Sequence, residues 1–395
     1  MNDICIVGGG IIGLSLAREL AGRGFRVRVL ARERGARTTT WAAAGILPPA
    51  PLWRDCPPSD ALTAWSDALH REWSRELREE TGIDNGLLPS GGLHLARSPA
   101  GKAALEADHD RWQSRGAEAR LLDRGELFDL EPALARGRDA SAILGAMLLP
   151  GEMQIRPSRH LDALEASCRK RGVSIEEADV RQLVLRGHSL ERVITATGEV
   201  RAGTWIVAAG AWTGGLLRPF GLEIDTRPIR GQIVLMRLAA PVLGRIVNRG
   251  LEYLVQRPDG RLLVGSTIED VGFTPETTPE TVAELENVAA SLLGDLVRGA
   301  TVERTWAGLR PGSFDGAPTI GRIPGYDNVL VSAGHFRAGL HQSTGSAVLL
   351  ADLLAGRPTH LDMAPFAADR PHPAAGAAPY ASTAYYLARA AAAHG

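Results

Sequence analysis

Residues 4–7 form a short apolar run that leads into Gly8, Gly10 and Gly13, spaced as G-x-G-x-x-G. Glycine lets such a turn close and lets an anion approach the backbone. A helix opening just after it turns N–H groups and the positive end of its dipole toward that anion. The pattern is a dinucleotide fingerprint, and a tight βα turn without ligand satisfies it as well. The carboxylate that would hold the ribose hydroxyls is expected roughly 20 residues on, at the end of the second strand. That count lands on Ala31, which accepts nothing, with Arg32 and Glu33 behind it. Arg32 suits either a 2′-phosphate or a solvated charge at a strand end, and Glu33 is a second candidate for the ribose.

Arg310 stands in Trp306-Ala307-Gly308-Leu309-Arg310-Pro311-Gly312. A planar guanidinium can pair a carboxylate through two parallel bonds, which lysine cannot. Arginine is abundant here and the only lysines are Lys102 and Lys170, so a surface ion pair competes with that reading. Tyr253, in Glu252-Tyr253-Leu254-Val255, lies on an alternating stretch. Its hydroxyl suits the same carboxylate, and a buried core tyrosine explains it too.

The elements that must position these groups follow from periodicity. An amphipathic stretch runs from the glycine turn to Arg23, Gly24 stops it, and Val27-Arg28-Val29-Leu30 alternates as a strand, giving a βαβ unit. Leu62, Trp65, Leu69, Trp73 and Leu77 mark a long helix over residues 59–80, closed at Gly82. A strand at 91–95, a helix at 157–171, short strands at 173–175, 183–185 and 192–197, and an apolar strand at 205–209 follow. Segments 227–237 and 251–267 alternate like an antiparallel sheet. A helix near 279–298, a strand at 328–332 and a helix from 334–339 to about Leu354 complete the pattern. The predicted fold is α/β: a Rossmann-type dinucleotide-binding domain with an inserted α+β substrate domain on an antiparallel sheet. The first is expected from residues 1–48, 150–215 and 305–366, and the second from 49–149 and 216–304. Residues 367–395 read as a weakly ordered tail.

With 44 basic and 45 acidic side chains and a net charge of -1, no electrostatic footprint for nucleic acid or an anionic membrane exists. Cys5, Cys56 and Cys168 have no C-x-x-C spacing, so neither a disulfide framework nor a metal site is expected. No apolar stretch is long enough to span a bilayer and no leader precedes the first strand, so a cytoplasmic protein is expected. Oligomeric state is left open, with a homo-oligomer compatible.

The ordered motifs VGGGIIGLSLARELAGRG, TTTWAAAGILPP, TGIDNG, WIVAAGAWT, RPIRGQ, YLVQRPDGRLLVGSTIEDVGF, WAGLRPGSFDGAPTIGR and VSAGHFRAGL resemble the D-amino-acid oxidase superfamily of flavoproteins, most of all the glycine oxidases of thiamin biosynthesis. The resemblance covers roughly residues 3–355. It implies FAD held at Gly8, Gly10, Ile12 and Gly13, with further contacts from Thr39, Thr40, Ala42, Ala43, Gly45, Ile46, Val180, Ala209, Gly210 and Trp212. It also implies that Arg310 and Tyr253 bind the substrate carboxylate, with Arg337 as a second active-site arginine. The helix after Arg337 would bring Gly339, Leu340, His341 and Gln342 to the flavin. Covalent attachment in this superfamily uses a late cysteine; none lies beyond Cys168, so the FAD should be non-covalent.

Two departures stand out. Ala31 replaces the ribose carboxylate, and residues 341–344 read His-Gln-Ser-Thr where relatives are apolar with a proline. His341 suits a proton acceptor for the substrate ammonium or a satisfied structural histidine. Ile268 is expected to wall a small substrate. The implied reaction is oxidation of glycine, sarcosine or small D-amino acids by hydride transfer to flavin, with oxygen giving hydrogen peroxide. A dehydrogenase with another electron acceptor and a flavin-poor amino-acid-binding protein are the competing readings.

Overall fold

The computed structural model describes residues 3–32, 38–49, 56–114, 116–221 and 223–373. Glu33 and residues 374–395 of the expected tail lie outside the described residues.

A six-stranded sheet runs in the order Thr319–Arg322, Val329–Ala333, Thr204–Val207, Asp3–Val7, Arg26–Ala31, Ser174–Glu177. All its pairs are parallel except the first, which is antiparallel. Its inner strands Val329–Ala333, Thr204–Val207 and Asp3–Val7 are buried on both faces and read as apolar runs, whereas Arg26–Ala31 and Ser174–Glu177, toward the edge, keep exposed positions. One face carries helices Ile11–Gly22, Pro157–Lys170 and Gly339–Leu354, sharing a core with Ile4, Leu16, Leu164 and Leu350. The other is covered by the antiparallel ribbon of Val180–Arg186, Ser189–Thr195 and Gly198–Val200, through Leu183, Leu190 and Val193 against Trp205.

An eight-stranded sheet runs Thr301–Pro311, Pro228–Arg237, Arg261–Gly265, Glu252–Gln256, Ile246–Arg249, Gly92–Ala96, Gly145–Leu149, Arg120–Asp123. It is antiparallel apart from the pairing of Ile246–Arg249 with Gly92–Ala96. Alternation gives its two faces different tasks. Val234, Val264, Leu254, Val247, Leu93 and Leu148 pair across the strands and pack on helix Pro279–Leu293. The opposite face turns toward the first sheet.

The structure moves two expected boundaries. Helix Pro58–Thr81, assigned to the substrate domain, buries Leu62, Trp73 and Leu77 in the same core as Ile4 and Leu16, against helices of the Rossmann unit. The expected boundary at 305 falls inside the unbroken strand Thr301–Pro311, whose ladder with Pro228–Arg237 keeps it in the larger sheet. The start of the expected tail is held. Arg370 bonds Asp315 at 2.7 Å and 3.1 Å, and His372 stacks on Phe314.

Candidate functional site

A cavity of about 1650 Å³ lies at the carboxyl ends of the parallel strands and continues over the inner face of the larger sheet. Small-ligand pockets usually measure about 300–1,000 Å³, so this one suits a dinucleotide together with a second molecule.

Its nucleotide end is made of backbone. Gly8 has φ +123°, and a Cβ there would stand 2.2 Å from the Ala208 carbonyl oxygen, so no other residue fits. Gly13 does not line the cavity; a Cβ there would stand 1.9 Å from the Gly8 oxygen, so its part is to bring helix and strand together. Helices Ile11–Gly22 and Gly339–Leu354 receive no side-chain hydrogen bond from their capping residues, Gly10 and Ala338, and both open on the cavity. Thr40 Oγ1 takes the Ile11 N–H at 3.1 Å. Gly10, Ile12, Leu340 and His341 also line the cavity, as do Ala209, Gly210, Trp212 and Val180. The buried Ser332 hydroxyl, at the end of a parallel strand, has no hydrogen-bond partner among the described residues and borders the same space. Two helix starts facing the cavity, a glycine turn and an orphaned hydroxyl fit a dinucleotide.

Thr39, Thr40, Ala42, Ala43, Gly45 and Ile46 line one wall. Their loop is tied down from several directions. Thr39 Oγ1 donates to the Leu309 carbonyl at 2.6 Å, and the Trp306 indole to the Ala42 carbonyl at 3.0 Å. Arg257 donates to the Ala44 carbonyl and to Gln154 Oε1, both at 2.7 Å. Burial first, and the nearby Arg156 second, push the Arg257 pKa down to about 10. This buried positioning residue passes unnoticed among the chain's many arginines.

The substrate end is made of side chains. Arg310 and Tyr253 both face the cavity. The Arg310 guanidinium lies over Gly231, where a Cβ would stand 2.1 Å from Nη1, so any side chain there would push the guanidinium from its place. It donates to Ser266 Oγ at 2.7 Å and to the Thr267 and Arg230 carbonyls at 3.1 Å and 3.3 Å. Among the described residues, no carboxylate stands within ion-pair distance of it. The neighbouring Glu269 is bonded to Arg230, Gln232 and Thr267, and these bonds outweigh burial and hold its pKa below the usual range. Burial, then Arg337, push the Arg310 pKa down to about 10, so it stays charged at neutral pH. Tyr253 is 7% exposed and lies over Gly265, and no hydrogen bond among the described residues engages its hydroxyl. Arg337 is exposed and lines the cavity.

Two expectations change at this wall, and the alternatives for His341 narrow. Gln342 does not reach the cavity: its amide donates to the Ser59 carbonyl and Thr63 Oγ1 on the adjoining helix. His341 lines the cavity, yet its Nε2 is bound to Asp67 at 3.2 Å. Ile268 packs with Ile229 and Phe336 behind the wall, and Phe336 and Leu251 form its surface. Ala31 is 4% exposed, with its methyl against Gly9, while Arg32 stacks over the Trp212 ring at 4.1 Å. None of the three cysteines lines the cavity, and the described residues hold no metal-binding cluster. No helix among them is long and apolar enough to cross a membrane.

The chain matches the DAO family of FAD dependent oxidoreductases over residues 3–353. It belongs to that family. FAD is therefore its cofactor, and a dinucleotide fits the glycine turn and the two helix starts. The chain is similar to the glycine oxidase of Pseudomonas aeruginosa, 36% identical over 366 residues, covering 92% of this chain and 98% of that one. It is also similar to the solved glycine oxidase of Geobacillus kaustophilus, with a TM-score of 0.87 and 31% identity over 94% of this chain and all of that one. Iminodiacetate oxidase from Chelativorans sp. BNC1 shares the fold at a TM-score of 0.82 and 26% identity, over 92% and 98% of the two chains.

Proposed function

We propose that this enzyme oxidises the C–N bond of glycine, and of sarcosine and small D-amino acids, with oxygen as final acceptor. The observation that carries this reading is Arg310, a half-buried cation with no carboxylate partner among the described residues, opening on the cavity beside Tyr253. A positive charge so placed is a seat for a carboxylate, and the likeness to glycine oxidases supports an α-amino acid. FAD, when bound, supplies the two-electron acceptor for the α-hydrogen.

The chain's own residues bind and orient. Arg310 pairs the carboxylate, held by Ser266, Thr267 and Arg230 so that it does not swing with its ligand. The Tyr253 hydroxyl donates to the same group and its ring closes one wall. Arg337 adds positive potential, and Phe336 and Leu251 keep the substrate's surroundings apolar. Glycine and oxygen become the imine and hydrogen peroxide, and water then converts the imine to glyoxylate and ammonia. The flavin is held without a covalent bond, since no cysteine faces the cavity.

Anaerobic addition of glycine to the yellow purified protein should bleach the flavin, and air should restore it with release of peroxide. Failure of every small amino acid to bleach it would end the reading. Bleaching without peroxide would assign the electrons to another acceptor.

A further inference from the structure

The inner face of the larger sheet carries a row of residues that the carboxylate site leaves unexplained. Ile233 pairs with Gly265, Gly265 with Tyr253, Tyr253 with Asn248, Asn248 with His94, and His94 with Met147. Residues opposite one another across neighbouring strands share a face, so Tyr253, Asn248 and His94 look into the same cavity, and all three line it. Strands lie about 4.8 Å apart, which puts Asn248 about 5 Å and His94 about 10 Å along the row from Tyr253. Glycine held at Arg310 and Tyr253 does not extend that far.

Asn248 and His94 stand over a buried carboxylate. Glu152 is 1% exposed and lies against Gly92, where a Cβ would be 2.0 Å from Oε2. It accepts from His94 Nε2 at 3.0 Å and from Asn248 Nδ2 at 3.2 Å. Both side chains have thereby spent a donor on Glu152. The carboxylate fixes the proton on His94 Nε2, leaving Nδ1 as an acceptor, and Asn248 keeps Oδ1, also an acceptor. The His94 side chain is 31% exposed, so the cluster is open to the cavity from above and closed beneath. Two acceptors over a buried anion suit a cationic hydrogen-bond donor. Helix Pro99–Ser114 contributes Asp108 and Arg111 to the cavity, paired at 2.7 Å and so neutral together.

We infer that His94, Asn248 and Glu152 form a second binding station, which receives an ammonium group borne at the far end of the amine substrate. This inference rests on the amino-acid oxidase reading above and names its preferred substrate class: amino acids or N-substituted glycines with a distal amine. The test compares matched probes on the holoenzyme without oxygen, by calorimetric binding and by flavin bleaching. N-(3-aminopropyl)glycine is set against N-butylglycine, and D-lysine against D-2-aminoheptanoate. One charge-assisted hydrogen bond should make the amine in at least one pair bind about tenfold or more tightly than its apolar twin. The pair that responds tells whether the chain leaves from nitrogen or from the α-carbon. Glu152→Gln should bring the affinity ratio within that pair toward unity, as should Asn248→Leu, which leaves the buried carboxylate in place. Equal affinities within both wild-type pairs would overturn the station, and so would tighter binding of N-(2-carboxyethyl)glycine than of the aminopropyl probe. Glycine bleaching the flavin while both pairs bind equally would leave the oxidase reading standing alone. Paired affinities that differ in a protein no amino acid bleaches would support the station and end the oxidase reading.

Discussion

The two ends of the cavity are built by opposite means. At the nucleotide end the working groups are backbone N–H and carbonyl groups, and the side chains are mostly absent: Gly8, Gly10, Ala42, Ala43, Gly45, Ala209 and Gly339 line it. At the substrate end the backbone is consumed by an eight-stranded ladder, and chemistry belongs to side chains standing on it: Arg310, Tyr253, Asn248 and His94. A backbone site tolerates little change in residue size and resists the loss of any one polar group. A side-chain site concentrates its energy in a few members, so single deletions there should be the more costly.

The largest effect expected is at Arg310. Arg310→Ala should lower kcat/KM for glycine by about 2–5 kcal/mol of transition-state binding, because the substrate carboxylate loses its charged partner in a desolvated place. Arg310→Lys should restore only part, lacking the fork, and Tyr253→Phe should cost about 0.5–1.5 kcal/mol, one hydrogen bond. Steady-state kinetics of the three variants, beside their melting temperatures, separates lost binding from the loosening of Ser266 and Thr267. An unchanged kcat/KM in Arg310→Ala would remove the residue from the site and, with it, the contrast between the ends.

The nucleotide end was legible in the sequence because its requirement is local. A strand, a G-x-G-x-x-G turn and a helix within residues 3–22 carry the whole geometric demand. The loop at 38–46 and the strand at 205–209 show the same small-residue signature. The substrate end was legible only as separate motifs, since its members meet through strand register. Glu152 lies 58 residues from His94 and 96 from Asn248, so no window of sequence contains the cluster. The one local trace is a polar residue in the alternating run Leu93-His94-Leu95, which sets His94 on the face opposite the apolar core. Helix Pro58–Thr81 was assigned to the wrong unit for a related reason: periodicity announces an apolar stripe but not what covers it. Gln342 was read from its neighbours along the helix, whereas its side chain turns to the adjoining helix.

A smaller effect is expected from restoring a side chain to the backbone-built end. Ala31→Glu places a carboxylate at the end of strand Arg26–Ala31, and each charge-assisted bond to a ribose hydroxyl is worth about 1.5–3 kcal/mol. Titration of the apoprotein with FAD should show tightening of about tenfold or more, with a higher melting temperature through ligand linkage. If affinity does not move, the ribose already has its acceptor. Glu33→Gln should then loosen the flavin where Ala31→Glu failed to tighten it.

The smallest effect concerns acid, and it too should divide the molecule. The helices behind the nucleotide end bury a row of imidazoles, with His160 and His341 each about one ring away from His70, at 5.8 Å and 5.9 Å. Burial first, then His341, push the His70 pKa down to about 4, and burial followed by His70 push that of His160 to about 3. Both are neutral when folded and take up protons when unfolded below the ordinary value of about 6.5. The unfolded state therefore binds more protons in that range. Stability is complete above about pH 6.5 and declines as pH falls toward 3–4, by up to about 1.4 kcal/mol per unit for each histidine. The larger sheet responds later. Bonds from Arg156 and Arg261 outweigh burial to hold Asp259 at about 2, and Arg261 also holds Glu303 at about 2. Those pairs give way only as pH falls below the ordinary carboxylate values. Unfolding free energies measured in urea at pH 7.5, 6.5 and 5.5 should thus already fall over the last step. In His160→Gln the fall between pH 6.5 and 5.5 should be shallower by about 0.7 proton, whatever constant loss follows from the broken bond to Asn85. A slope equal to the wild type's would mean that His160 titrates in the folded protein as freely as in the unfolded chain. The helical wall would then offer no reason for the nucleotide end to yield to acid before the sheet.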